Sequence, residues 1–269
     1  MDFWADVLRI LTVKMTRPTP YGWFHLLWLA ITAVTLLLLW RYGKKASPKV
    51  VRAIVFWTSV AVIVCEVYKQ LVFTFEYQNG SVTADYQWYV FPFQFCSTPM
   101  YAGVLFGITR RGKLHDAFAA YLATYAVFAG VSVMAYSSDV FVETIGINIQ
   151  TMLCHSSMIV IGVYLLISGY VKAEHKTIFK AMPIFIGGVV LATAMNEIAY
   201  YSGLLKTETF NMFFINRHVD PYLPVYSWVQ RAIPFPFCLL FYIAGFSLAA
   251  YIVLLVAKGI RRIASKKDR

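Results

Sequence analysis

GWFHLLWLAITAVTLLLLWRYGKK, residues 22–45, is the stretch whose reading decides the fold. Between Trp23 and Trp40 it holds no Asp, Glu, Lys or Arg, and His25 is its one titratable side chain. A helix rises about 1.5 Å per residue, so a run of about 20 apolar residues matches the hydrocarbon thickness of a bilayer. Arg41, Lys44 and Lys45 follow at once, as lysine and arginine do at the cytoplasmic end of a crossing. The rest of the chain agrees. Of 269 residues, 59% are hydrophobic and 14% charged, against roughly 45–50% and about 25% in soluble domains.

Similar apolar runs lie at about 22–42, 50–73, 88–108, 118–136, 149–170, 180–201 and 233–258. They predict an all-α polytopic membrane protein, a bundle of seven transmembrane helices with short loops and no separate soluble domain. Orientation follows from the loops. Lys49 and Arg52 add to the basic cluster after the first span, Arg110, Arg111 and Lys113 follow the third, and Lys172 and Lys176 follow the fifth. Lys258, Arg261, Arg262, Lys266, Lys267 and Arg269 follow the seventh. The alternate loops carry Glu76 and Asp85, then Asp139 and Glu143. This alternation predicts an amino terminus outside and a carboxyl terminus in the cytoplasm. It also accounts for the net charge of +11 without nucleic acid as a partner. The organisation expected is an amphipathic interfacial segment at 1–21, with Phe3, Trp4, Val7, Leu8, Leu11 and Met15 on one face, the bundle at 22–258, and a basic cytoplasmic tail at 259–269. No cleavable leader is visible in the first residues. The setting expected is an integral protein of the bacterial cytoplasmic membrane.

Polar groups inside the spans need a reason, because an ionised side chain at mid-bilayer costs about 2.5–3.5 kcal/mol on insertion scales. With the orientation above, Glu66, Gln94, Cys96, His155, Asn196, Glu197 and His25 all fall in the outer halves of their spans. A polar belt at one depth suits a site open to the outer leaflet. Each member also has a plain structural reading. Glu66 pairs readily with Lys69 three residues on, His25 sits near the interface, and Asn196 and Glu197 suit interhelical hydrogen bonding. Nothing near His155 in sequence explains it.

Four cysteines, Cys65, Cys96, Cys154 and Cys238, lie in apolar runs, which argues against a disulfide framework. Three of them read as small buried hydrophobes. Cys96 differs because WYVFPFQFCSTPMY, residues 88–101, places it between Pro92 and Pro99. Each proline removes a donor and clashes with the carbonyl four residues back, here those of Trp88 and Phe95. Broken backbone at membrane depth survives only when buried in protein or lining a wet cavity. A thiol there becomes a nucleophile when a base stands beside it, and His155 is the base within the spans.

These residues resemble a family. FPFQFC at 91–96, TMLCHSSM at 151–158, and FNMFFINRHVDPYLP with IPFPF at 210–224 and 233–237 are similar to motifs of the YwaF-type integral membrane proteins of bacteria and their animal relatives. That seven-span family has a cysteine-dependent phospholipid acyltransferase as its animal member. The resemblance runs from about Gly22 to Lys258. It implies Cys96 as nucleophile, His155 as catalytic histidine and Asn211 as a site residue. Many relatives have histidine where this chain has Gln94, and glutamine takes no proton near neutral pH.

The expected function is acyl transfer or hydrolysis on a membrane phospholipid or lysolipid, catalysed by Cys96 and His155. Glu66, Asn196 or Glu197 would orient the histidine, and Gln94 would help an oxyanion site only if the helix is broken there. No cofactor and no metal are expected. A site facing outward favours a phospholipid over cytosolic acyl-CoA as acyl donor. Two alternatives remain open. One is a transporter or receptor whose belt binds a ligand without chemistry. The other is a metal-dependent hydrolase using His25, His155, Glu66 and Glu197, which has few histidines for a catalytic zinc. A retinal Schiff base is excluded because span seven has no lysine before Lys258. The aromatic loop 202–232 is expected to fold over the outer mouth, tied to the belt by Asn211.

Overall fold

The structure is a computed structural model that describes residues 3–78, 81–203, 210–220 and 223–267. Thr207 and Tyr222 of the aromatic loop, and Asp268 and Arg269 of the basic end, lie outside the described residues. In chain order the helices are α1 (Phe3–Leu11), α2 (Trp23–Tyr42), α3 (Pro48–Val72), α4 (Thr98–Ile108), α5 (Lys113–Tyr121), α6 (Val127–Ala135), α7 (Ile145–Ile167), α8 (His175–Ser202), α9 (Pro224–Ala232) and α10 (Phe235–Lys267). A hairpin of β1 (Phe75–Gln78) and β2 (Ser81–Ala84) follows α3, with Phe75 opposite Ala84.

Six described helices are long and apolar enough to cross a membrane, counting Lys113–Ala135 as one. The third expected span is the exception. Only Phe95–Ile108 is helical there, about 21 Å at 1.5 Å per residue and short of the roughly 30 Å core. Residues 88–90 form a separate 3-10 turn. The break lies at Pro92, as the missing donor requires, and the freed carbonyls find other partners. Trp88 O accepts from Phe91 N at 3.1 Å, Pro92 O from the Tyr101 hydroxyl at 2.8 Å, and Phe95 O from Thr98 Oγ1 at 2.8 Å. The basic stretch after Gly259 continues α10 as helix to Lys267.

The bundle has a centre and a lipid-facing rim. About 78% of the central window of Lys113–Ala135 and 72% of that of Ile145–Ile167 is buried, against 17% for α2 and for Phe235–Ile263. Along α2 the exposed side chains include Leu26, Ile31, Val34, Leu37 and Leu38, an apolar outer surface that only lipid suits. The two central helices come close because a Cβ at Gly162 would stand 2.3 Å from the Leu122 carbonyl oxygen, and one at Gly130 2.7 Å from that of His155. Leu122 opens a π-helical turn, Leu122–Ala126, that joins α5 to α6. Such turns recur at functional sites.

Leu8 and Ala5 of α1 are buried, and Phe3 and Trp4 on the same helix are exposed, which suits a helix held against the bundle at the interface. The Tyr68 hydroxyl donates to Leu11 O at 2.7 Å and secures its end.

Candidate functional site

Residues 92–98 carry the site because the backbone is not helical at 92–94 and turns helical only from Phe95. Gln94 is extended (φ −75°, ψ 160°), and a 3-10 turn at Phe95–Ser97 leads into α4. Cys96 therefore stands in the first turn of the helical run Phe95–Ile108. There the N–H groups of Phe95 and Cys96 have no intrahelical acceptor, and the helix end favours negative charge. The thiol lines a small cavity of about 10 Å³, the space of roughly one water, with Ser59, Pro99, Leu122, Cys154 and Ser157. Ser59 Oγ is buried there with no hydrogen-bond partner among the described residues. Cys154, one residue before His155, reaches the Cys96 carbonyl oxygen at 3.9 Å.

His155 is buried on α7, and its Nδ1–H donates to the Thr151 carbonyl one turn earlier at 2.7 Å. That bond fixes the tautomer and leaves the Nε2 lone pair free. Nε2 is buried with no partner among the described residues. Glu66, Asn196 and Glu197 make no hydrogen bond to His155 among the described residues, and the backbone carbonyl takes the orienting place considered for them. No hydrogen bond joins His155 to Cys96 either among those residues, and the cavity beside Cys96 is lined by Cys154 and not by His155.

Two polar networks flank this segment. In the first, Glu66 is buried on α3. Its Oε1 accepts from Lys69 Nζ and Gln70 Nε2, each at 2.7 Å, and its Oε2 accepts from Gln150 Nε2 of α7 at 2.9 Å. Gln70 also donates to Val90 O at 3.0 Å and accepts from the Tyr86 hydroxyl at 2.6 Å. A buried carboxylate is tolerated when a cation and further donors satisfy both oxygens, and here they do. Lys69 lies within electrostatic range of both Cys96 and His155. The Glu66 and Lys69 pair was legible as a three-residue spacing on a helix. Nothing in the local pattern sets Gln70 and Gln150 apart, since Gln150 lies among other polar residues of α7, Asn148, Thr151, Ser156 and Ser157.

The second network holds the loop 210–216 inside the bundle. Gln94 Nε2 donates to Asn211 O at 2.9 Å, and Gln94 Oε1 accepts from Phe213 N at 3.0 Å. Asn196 of α8 does the same at Met212, donating to its O at 3.0 Å and accepting from its N at 2.8 Å. Asn211 Oδ1 accepts from Asn216 N at 2.9 Å, and the Tyr242 hydroxyl of α10 donates to Phe213 O at 3.0 Å. Met212, Phe213 and Ile215 are fully buried, Phe213 among Phe93, Phe95 and Phe185. Phe213 and Phe214 have φ of 58° and 56°, a strained region for large residues. Residues 210–216 of the aromatic loop are thus inserted between helices, while α9 of the same loop keeps Val225 and Trp228 exposed. The reason for the insertion is that three amides satisfy the backbone of 210–216 there. Gln94 engages this loop through both Nε2 and Oε1, which holds its side chain in place and leaves one Nε2–H.

Two belt members stand apart. Glu197 binds Arg217 at 2.9 Å and His218 at 3.2 Å, and His218 stacks on Tyr200. His25 is fully buried. Its Nε2–H donates to Met134 O at 2.9 Å, and its Nδ1 accepts from Tyr21 N at 2.9 Å. Both ring nitrogens are engaged, which leaves no lone pair for a metal.

The fold and these buried polar networks define a polytopic helical membrane protein with a polar interior around a broken helix. The chain belongs to the TMEM164 family, whose pattern it matches over residues 20–256. No curated protein and no solved structure matches it.

Proposed function

We propose that this protein is a membrane-embedded enzyme that transfers or hydrolyses the acyl chain of a membrane phospholipid, with Cys96 as nucleophile and His155 as base. The observation that carries the reading is the Nε2 atom of His155. A buried ring nitrogen without a partner costs about 1–3 kcal/mol, and the Thr151 bond fixes the one tautomer in which that atom accepts a proton. Residues in sparsely favoured or unsatisfied states cluster at working sites.

In this mechanism the Sγ–H proton passes to Nε2, directly once substrate closes the pair or through one water. The thiolate attacks the ester carbonyl carbon, and the first-turn N–H groups of Phe95 and Cys96 receive the developing oxyanion. Collapse breaks the C–O bond, and the leaving alcohol takes its proton back from His155. The thioester left on Cys96 is then attacked by a lysolipid hydroxyl or by water, His155 accepting that proton and returning it to the thiol.

The proposed setting is a bacterial cytoplasmic membrane with Phe95–Ile108 as a short third crossing that brings the total to seven, the amino terminus outside and the basic end in the cytoplasm. An outward site takes its acyl group from a phospholipid. An electrophilic lipid probe should label the wild-type protein in membranes and leave Cys96→Ser unlabelled. Lipid profiles of cells expressing wild type should differ from those expressing Cys96→Ala. Equal labelling of the two proteins, or identical lipid profiles at equal expression, discards the enzyme.

A further inference from the structure

The carboxyl end of α7, the turn into α8 and the far end of α10 surround an open recess of about 520 Å³. It lies at the opposite end of α4 from Cys96, since Tyr170 beside it packs on Phe106 and bonds His115. Lys172, Lys258, Arg261 and Arg262 line it, together with Gly169 and Glu174. Among the described residues, four cations and one carboxylate line it.

That carboxylate is already neutralised from outside. Glu174 pairs with Lys176 at 2.9 Å, and the Lys176 hydrogen bond holds its carboxyl below the usual range. Two of the cations are fixed. Lys258 Nζ donates to His175 Nε2 at 3.1 Å, and the other ring nitrogen of His175 bonds the Tyr251 hydroxyl. Arg261 donates to the Leu166 carbonyl at the end of α7. Lys172 is exposed at the mouth. The plain reading is topology, in which basic residues mark one side of the membrane. Topology requires only that they lie in that loop. It does not require two chain segments, the turn into α8 and α10, to bring them around one recess, nor uncharged backbone and ring partners to hold two of them in place.

We propose that this recess binds a phosphate group, that of an anionic phospholipid headgroup or free phosphate. Cationic recesses between helix ends at the headgroup level suit such groups. Arg261 keeps further N–H donors for bidentate contact, and Lys258 supplies a positioned point charge.

The test uses the full chain in nanodiscs of zwitterionic lipid, titrated with short-chain phosphatidic acid, inorganic phosphate or a fatty-acid carboxylate. Binding is read by native mass spectrometry and by the thermal unfolding midpoint. Phosphatidic acid should bind and raise the midpoint. Each lysine near such a surface contributes about a fivefold effect, so Lys172→Gln with Lys258→Gln should weaken binding about 30-fold. Lys258→Arg should keep it, and Lys176→Gln, which unmasks the Glu174 carboxylate, should weaken it. Displacement of the lipid by inorganic phosphate supports a site for free phosphate, and failure to displace it supports the headgroup. Exposed Lys172 alone, replaced by Gln, gives a folded variant that should lose about fivefold. Unchanged binding in that variant, or a carboxylate bound as tightly as the phosphate, overturns the proposal.

Discussion

Two segments of this chain carry a proline four residues ahead of a cysteine, FPFQFC at 91–96 and IPFPFC at 233–238, and they end in different chemistry. After Pro234 the helix starts at once. α10 begins at Phe235, and Cys238 N already accepts a place in the helical ladder by donating to Pro234 O at 3.2 Å. The Cys238 thiol is fully buried and donates to Ile233 O at 3.2 Å and Val229 O at 3.7 Å. After Pro92 the helix is delayed until Phe95, because Gln94 is held extended by the inserted loop. Cys96 therefore falls in the first turn, with a cavity beside it and no carbonyl capping its sulfur among the described residues. The lesson is that the pattern alone does not make a reactive thiol. The residue two places before it and that residue's distant partner decide where the helix begins.

The largest effect that could break this comparison is on turnover. Cys96→Ala should lower lipid acyl transfer or hydrolysis by at least about 10³-fold, as loss of a nucleophile does, and Cys238→Ala should leave it unchanged. Radiolabelled or mass-resolved lipid products measure both. Equal loss in the two variants would mean that neither thiol is the nucleophile. Next in size, His155→Gln should cost about 10²–10⁴-fold, the range for a general base, with folding retained. A variant that unfolds instead would place His155 among structural residues like His25.

The comparison can also be sharpened by stability. Gln94→Ala leaves Asn211 O and Phe213 N unpaired in the bundle, and each such group costs about 1–3 kcal/mol. The thermal midpoint should fall clearly, and Pro236→Ala in the matching position should shift it little. Asn196→Ala should resemble Gln94→Ala, since it frees both backbone groups of Met212. The smallest effect is expected at Glu197, whose pair with Arg217 is partly exposed. Glu197→Gln should cost no more than about 1 kcal/mol and leave turnover intact. A large loss of activity there would move the site toward the carboxyl end of α8.

Much of the architecture was present in the one-dimensional pattern. Lipid as solvent favours backbone bonding within each segment, so long apolar runs became helices, α8 even across Pro183. Pro92 and Pro99 marked the third span as interrupted, and Cys96 between them was found for that reason. Glu66 with Lys69 was legible because a helix brings residues three apart together. The other placements depended on partners far away in the chain. Nothing local predicts that Gln94 and Asn196 spend their amides on a loop more than a dozen residues from either one, that Thr151 and not a carboxylate fixes His155, or that Glu197 turns outward to Arg217. The aromatic loop read as a surface element because its composition suits the headgroup level. It enters the bundle because two side-chain amides there offer its backbone the hydrogen bonds that lipid cannot. The sequence by itself thus determined the solvent, the helices and the break at Pro92, all set by local hydropathy and backbone sterics. Which polar groups meet, and which of two similar cysteines is left uncapped, only the tertiary structure decided, because those outcomes rest on hydrogen-bond partners that no local rule specifies.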